Sequence, residues 1–411
     1  MARILFLTQV LPYPLDSGAK IRAYYVLRHL AQRHEVTLVS FVRADDRPEY
    51  MAHLERFCHA VHTVPMRRSR LRDARALLFA GFTGRSVIIV RDEIGQMHAT
   101  LKRLVADKSP DVVHADQTSM AQYALYARSR IPDPGSCQKA RLVLDAHNAL
   151  YRIPERMSVH ERNPLKRLAL RREARALARY EAQAYQRFDH VVFVADEDRQ
   201  VLQERTSTED SRFTTIPICV DPEEKPLVEL VQRPRAIMHL GTMFWPPNVE
   251  GVLWFAQEVF PRVLAQVPEA RLTIIGKNPP AAIRHLPFAI PNVEVTGYVK
   301  DPTPYLAETA AFIVPLHAAG GMRVKILDAW CWGVPIVSTS IGAEGIAVRD
   351  GEDILIADTP DTFAQAVVRV LRDPTLGERF RQNGRRWVEE RYNWRWVYTR
   401  WYEVYGRLLS L

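Results

Sequence analysis

Short apolar runs rich in β-branched residues alternate with stretches of helical periodicity along this chain, and the series starts afresh past its middle. The opening gives "RILFLTQV" as an apolar run, "LPYPLDSG" as a proline-marked loop, and "AKIRAYYVLRHLAQRH" with Ile21, Tyr24, Tyr25, Leu27 and Leu30 at helical spacing. "EVTLVSFV" follows as the next apolar run. Such a run fits a strand covered on both faces, and strands of that kind alternating with helices build a parallel sheet. "DVVHAD", "RLVLDAHN" and "DHVVFVAD" continue the series, and Asp16 or Ser17 is placed to cap the first helix. The restart is "RAIMHLG", a loop "TMFWPPN", the helical "VEGVLWFAQEVFPRVLAQV" and "RLTIIG". "NVEVTG", "AAFIVPL", "PIVSTS" and "DILIA" come after it. Residues 219–235, "CVDPEEKPLVELVQRPR", are rich in charge and proline and read as a linker. The predicted fold is α/β, with doubly wound parallel-sheet domains at 1–218 and 236–390. They are expected to face a cleft at the carboxyl ends of their strands, where open parallel sheets bind ligands.

A length of 411 residues suits two or three domains. No apolar run approaches the roughly 18 residues that a membrane span needs. Pro12, Pro14 and Asp16 follow the first run without a small-residue cleavage site, so it reads as a buried strand, not a secretory signal. Cys58, Cys137, Cys219 and Cys331 are scattered, with no Cys-x-x-Cys pair and no zinc-type histidine spacing. Reduced thiols in a cytoplasmic protein are expected, and no metal. The formal net charge of +9 raises nucleic acid, anionic lipid and small anions as partners. Its arginines concentrate at 67–85 and 163–187, both helical, with Leu165, Leu168, Leu170, Ala174 and Leu177 giving the second an apolar side. These faces either meet water or touch the anionic inner face of a membrane; no nucleic-acid motif accompanies the charge, so no nucleic-acid partner is expected. Neither Gly-x-Gly-x-x-Gly nor a loop ending Gly-Lys-Ser/Thr follows the first strand of either half, which argues against dinucleotide and P-loop chemistry.

The stretch "VPLHAAGGMRVKILDAWCWGVPIVSTSIGAEG", residues 314–345, carries the most chemistry. It reads as strand, loop, a helix ended by Gly333 and Pro335, and strand. Gly320 and Gly321 free the backbone where loop becomes helix, and a helix N-terminus favours an anion through its dipole and open amides. Arg323 and Lys325 stand at that end against the dipole, as though a phosphate were expected; the alternative is two exposed surface cations. Two residues apart, they diverge if both are helical, which places Arg323 in the loop. Asp328 falls in the stripe of Val324, Leu327 and Cys331 and needs donors there. Lys325 one turn back, or the hydroxyls of a ligand such as a ribose diol, would supply them. Phosphates against amides and cations, with a carboxylate beside them for vicinal hydroxyls, describe a nucleoside-diphosphate site.

With these residues the chain resembles the family-four glycosyltransferases of the GT-B fold, two Rossmann-like domains, over nearly its whole length. "HLGTMFWPPNVEGVLWF", "LTIIGKNPP", "NVEVTGYVKDPTPYL" and "GGMRVKILDAWCWGVPIVSTSIGAEGI" follow that family's donor domain in order, and "LPYPLDSGAKIRAYYVLRHLAQRHEVTLVS" its acceptor-domain start. Bacterial surface-polysaccharide members are especially similar. The resemblance implies a hexosyl- or related transferase. It would move a sugar from a nucleotide-sugar donor to a glycan or lipid-linked acceptor with retention of configuration and no metal or other cofactor. It places Gly18, Gly241, Gly321, Met322, Arg323, Lys325 and Asp328 around the donor, with Lys277 and Tyr298 near the base, where Tyr298 either stacks on it or packs in the core. The family's two glutamates fall here on Gly320 and Asp328, so only the ribose-side carboxylate is kept. Its Arg and Lys after the first donor-domain strand correspond to Thr242 and Asn248; Arg323 and Lys325 are expected to take over their charge. Where relatives carry His-x-His, the second position is Asp116; Asp116 or His147 is expected to orient the acceptor or take its proton. His147 and His114 also admit purely structural roles. Residues 391–411 are expected to cross back onto the first domain as that family's last helix does, and the protein to be cytoplasmic or peripheral at the inner membrane. The alternatives are a GT-B nucleotide-sugar epimerase and a catalytically weak nucleotide-sugar-binding member.

Overall fold

The computed structural model describes residues 1–67, 69–107, 109–131, 140–200, 210–232 and 234–409. Cys137 lies outside the described residues, as do Arg68 of the first basic segment, Arg233 of the linker and the last two residues. The chain forms two compact units. The first comprises Met1–Cys219, Gly320–Met322 and Trp394–Leu411; the second comprises Val220–Ala319 and Arg323–Asn393.

The first unit holds β1 (Arg3–Thr8), β2 (Glu35–Val42), β3 (Ala60–Pro65), β4 (Val112–Asp116), β5 (Arg141–Ala146), β6 (His190–Phe193) and β7 (Phe213–Thr215). They pair in parallel in the order β3-β2-β1-β4-β5-β6-β7. The apolar runs become the central strands: Phe6, Leu7, Val112, Val113, Leu142 and Leu144 are all fully buried. β3 and β7 extend the sheet at its edges and were not among the runs read above. β3, "AVHTVP", buries only Val64, so its apolar signal is that of a half-covered edge. The second unit holds β8 (Ala236–Leu240), β9 (Arg271–Ile275), β10 (Val293–Gly297), β11 (Thr309–Val314), β12 (Ile336–Ser338) and β13 (Leu355–Ile356). Their order is β10-β9-β8-β11-β12-β13, again parallel. Strand order reverses between β1 and β4 and between β8 and β11, and each reversal opens a crevice at the carboxyl ends.

Local chemistry departs from the sequence reading in two places. Ser17 is the N-cap of the helix Gly18–Leu30, but neither proposed side chain caps it: Ser17 makes no cap bond, and Asp16 pairs with Lys20 at 3.0 Å. "TMFWPPN" is only partly loop, because a helix begins at Pro246; proline suits the first turn, where its missing N–H has no partner to lose. Further along, Phe255–Val259 widens to a π-turn just ahead of Pro261, which has no N–H to continue the ladder.

Residues after Val220 run without regular structure, held to the second unit by the helix Pro374–Arg391. Arg385 donates to the carbonyls of Lys225, Cys331 and Pro222, and Arg381 to those of Val228 and Gly333. In the first unit, Trp394 stacks on Tyr25 with centroids 5.2 Å apart, and Tyr398, Trp401 and Tyr405 are fully buried. Cys58, Cys219 and Cys331 are buried and unbonded. Among the described residues no helix is long and apolar enough to cross a membrane.

The basic segments form the helices Arg70–Thr83 and Pro164–Arg187, tied where Arg179 donates to the Gly84 carbonyl and Glu173 accepts from Ser86 and the Val87 amide. The expected apolar stripe of the second divides. Ala174 and Leu177 are buried, whereas Leu165 is 77% exposed and Leu168 stands in solvent too. On the first helix Leu71, Leu77, Leu78 and Phe79 are exposed, and Phe82 is 90% exposed.

Candidate active site

In the second unit the carboxyl end of β8 runs into Gly241, and the helix Pro246–Trp254 closes over the end of β11. A Cβ on Gly251 would lie 2.2 Å from the Pro315 carbonyl oxygen, so these elements meet backbone to backbone. The helix Val324–Trp332 contributes Lys325, whose Nζ donates to Asn248 Oδ1 at 3.0 Å, while Asn248 Nδ2 donates to the Thr242 carbonyl at 3.0 Å. A Cβ on Gly241 would lie 2.7 Å from Lys325 Nζ, so the glycine makes room for the ammonium. His239 Nε2 is buried without a partner 3.1 Å from the same point, while its Nδ1 faces the Ile313 carbonyl. Burial and the nearby Arg323 pull the Lys325 ammonium down to about 7. Among the described residues no carboxylate pairs with it. A cation held against burial and a second cation, with one amide oxygen as partner, is a site short of an anion.

Arg323 is the N-cap residue of that helix, in extended backbone, and so belongs to the loop as its spacing predicts. It is buried, and its guanidinium donates to the carbonyls of Gly342 (2.9 Å) and Glu344. Asp328 meets a partner other than Lys325: Lys225, from the segment read as a linker, donates to its carboxylate. Burial opposes the Lys225 charge, but Asp328 outweighs it and the ammonium is held above its ordinary value. Tyr298 follows β10 and is 65% exposed, which removes the core-packing alternative for it. Lys277 follows β9 half-buried, its carbonyl accepting from the Met243 amide at 3.0 Å.

In the first unit, Gly320–Met322 lies against the end of β5. Gly321 has φ +69, and a Cβ there would lie 2.2 Å from the His147 carbonyl oxygen; one on Gly320 would lie 3.2 Å from that of Ala149. These glycines are therefore demanded by close backbone approach, a reason not visible in the sequence. Met322 Sδ accepts from the Ile218 amide at 3.2 Å. Gly18 is the first residue of its helix.

The ends of β4 and β5 carry a chain of buried charges. Arg22, from the helix Gly18–Leu30, donates to both oxygens of Asp145 at 2.9 and 3.1 Å, to the Pro217 carbonyl at 2.6 Å and to Tyr398 Oη at 3.1 Å. His147 Nε2 lies 2.9 Å from Asp116 Oδ1 and 3.6 Å from Asp145 Oδ2. Burial opposes the imidazolium, but Asp116 and then Asp145 outweigh it and hold His147 up to about 9. Asp145 is drawn well below the carboxylate range by Arg22 and His147 against its own burial. Asp116 is fully buried with Oδ2 unpartnered, and desolvation pushes its carboxyl up even though His147 pulls the other way. His114 is structural: it stacks on Phe6 at 4.2 Å, its Nδ1 meets Tyr405 Oη at 2.9 Å, and burial lowers it to about 3. Gln117, directly after β4, has φ 75, strained backbone for a residue with a side chain.

Sequence reading singled out neither Arg22, Asp145, Tyr398 nor Lys225. The signal for the first two was there: an arginine among residues that pack inward, and an aspartate inside the apolar run "RLVLDAHN". Each needs a partner.

Two doubly wound parallel-sheet units are the GT-B architecture of glycosyl-transferring enzymes. The chain belongs to Glycosyltransferase Family 4, whose description matches residues 17–224, while that of Glycosyl transferases group 1 matches residues 234–373. It is similar to an uncharacterized 44.6 kDa protein in the cps region of Klebsiella pneumoniae, 22% identical over 97% of this chain and 98% of that one. The capsular polysaccharide biosynthesis glycosyltransferase CapM of Staphylococcus aureus is 26% identical over 29% of this chain and 32% of its own. The crystal structure of Anabaena Alr3699/HepE in complex with UDP and glucose shares the fold with a TM-score of 0.68 at 14% identity, over 99% of this chain and 100% of that one.

Proposed function

We infer that this chain transfers a sugar from a nucleoside-diphosphate sugar to a glycan or lipid-linked acceptor, with retention of configuration, in surface-polysaccharide assembly. The observation that carries the reading is the Lys325 Nζ, seated over Gly241 at the β8 strand end with Asn248 as its one side-chain partner among the described residues. It donates to Asn248, the position that the family resemblance aligns with a cation, which supports its standing in for that charge from another helix. Departure of the nucleoside diphosphate builds negative charge on the leaving phosphate; Arg323 would meet it from a fixed position, and Lys325 would join it once the bound diphosphate has protonated its amine. No metal ion is required for that role. The amides of Gly321 and Met322 would add donors and Gly18 a close backbone approach. Asp328 would take the ribose diol, Lys277 and Tyr298 the base, and Asp116 and His147 the sugar and acceptor side. The relative named for capsular polysaccharide biosynthesis supports the pathway class.

Thermal-shift screening against UDP, GDP, ADP and TDP identifies the base, since a ligand at 100 times Kd stabilises by about 2.7 kcal/mol. Replacing Arg323 and Lys325 by Ala is expected to raise donor KM and lower kcat, by roughly 2–3 kcal/mol combined, the scale of charge-assisted bonds. Unchanged kinetics in both variants would remove the phosphate role, and NMR of the product's anomeric proton tests retention.

An acceptor in lipid is reached from a membrane face, and the paired helices Arg70–Thr83 and Pro164–Arg187 offer apolar side chains among arginines for anionic headgroups, in a protein acting at the cytoplasmic surface. Co-sedimentation with vesicles containing phosphatidylglycerol, lost on Phe82→Asp with Leu165→Asp and absent with neutral vesicles, is the expected result. Equal sedimentation of the variant would show that these helices do not bind lipid.

A further inference from the structure

We propose that Arg22, Asp145, Asp116 and Tyr398 act as positioning residues that keep His147 as a permanent imidazolium, presenting its Nδ1–H as a fixed hydrogen-bond donor to an oxygen of the bound ligand. His147 then works as an oriented cation and does not accept the acceptor's proton. This deepens the glycosyl-transfer reading and rests on it only for the identity of the ligand.

The geometry is contained in the first unit. Asp116 and Asp145 face each other across β4 and β5 as register partners, so both carboxylates project at one level of the sheet. Two carboxylates that close would repel, and a cation inserted on each side resolves it: His147 at 2.9 Å from one, Arg22 bidentate on the other. Arg22, Asp116 and Asp145 are fully buried and His147 is 8% exposed, so no mobile counterion replaces any member. With Nε2 committed to Asp116, and Asp145 on the same edge, Nδ1 is the ring nitrogen without a partner among the described residues. The His147 backbone is held close as well, because its carbonyl abuts Gly321. Tyr398 closes the far end, its Oη serving both Arg22 and the Cys219 amide, with Trp401 under the guanidinium at 5.2 Å.

Among the described residues, the charged and titratable groups that act on His147 or on the groups holding it are Asp116 and His114 from β4, Asp145 from β5, Arg22 from the first helix, and Tyr398 and Tyr405 from the last segment. His114, buried and neutral, adds no charge, and the tyrosines stay protonated because burial raises both. The two carboxylates therefore decide the state of His147.

The test is NMR titration of the full chain labelled with 13C-histidine, the His147 resonance assigned from His147→Gln. In the unsubstituted protein it is expected to titrate above pH 8, and in Asp116→Asn at least one unit lower. Titration near the ordinary value of 6.5, or an unchanged value in Asp116→Asn, overturns the proposal. Should Asp116→Asn not fold, the unsubstituted titration alone decides. The rate of transfer supplies the second readout: a fixed cation loses activity as pH rises through the His147 titration, whereas a base gains it, and a gain overturns the proposal. A high titration in a protein that binds no nucleoside diphosphate would leave the charge chain standing and remove only the donor reading.

Discussion

At the scale of single residues, charge against burial is the readable quantity. Lys325 has a folded-state value near 7 against an ordinary 10.5, so between those limits the free protein carries it neutral while the unfolded chain carries it charged. Folding is therefore penalised by this group below pH 7, and the penalty fades as pH rises toward 10.5. A diphosphate bound beside it, as proposed above, would restore the proton. Calorimetry of nucleoside-diphosphate binding at pH 8, repeated in buffers of different ionisation enthalpy, is expected to show uptake approaching one proton, abolished in Lys325→Met. Zero uptake in the unsubstituted protein would mean that Lys325 is already charged or does not meet the phosphate. The same reasoning explains what the sequence disclosed about Asp328 and what it withheld. A carboxylate on the inward stripe of "VKILDAWCW" had to find a donor, and that much was legible. That the donor is Lys225, 103 positions away, depends on how the irregular segment after Val220 is pinned by Arg381 and Arg385, and no local pattern encodes it.

At the scale of elements, legibility followed burial. Central strands announced themselves because both faces are covered and the code is a bare apolar run, whereas the half-covered edge strand β3 left a weak alternation. The glycines of the 320–322 turn were visible as glycines, but their cause was not, since it is the His147–Ala149 backbone approaching from a distant part of the chain. Gly321→Ala adds a Cβ 2.2 Å from the His147 carbonyl oxygen at φ +69, while Gly351→Ala has a similar φ of +77 and nothing within 4 Å. The second substitution is expected to cost only the left-handed backbone penalty, about 1–2 kcal/mol. The first should cost that and a displacement of the turn, seen as a lower melting temperature and weaker nucleotide binding together. Equal effects of the two would show that the turn yields freely and that the close approach is not needed.

At the scale of the whole molecule, stability depends on the buried charge chain to which the proposal above assigns a functional role. His147 is raised to about 9 from an ordinary 6.5, so its contribution is complete below pH 6.5 and disappears as pH rises through 9. Asp145, depressed by Arg22, contributes above its ordinary 3.8 and is lost only as pH falls below it. Between pH 7 and 9 the His147 loss is opposed by the relief at Lys325, so the stability of the unsubstituted protein alone does not separate them. The difference between the unsubstituted protein and His147→Gln does, because Lys325 is common to both. That difference in unfolding free energy is expected to shrink by roughly 3 kcal/mol from pH 6.5 to pH 10, at about 1.4 kcal/mol per unit of displacement. Denaturation in urea across that range measures it. A gap that stayed constant with pH would mean that the imidazole is neutral throughout, and that Asp116 and Asp145 hold the fold by hydrogen bonding alone.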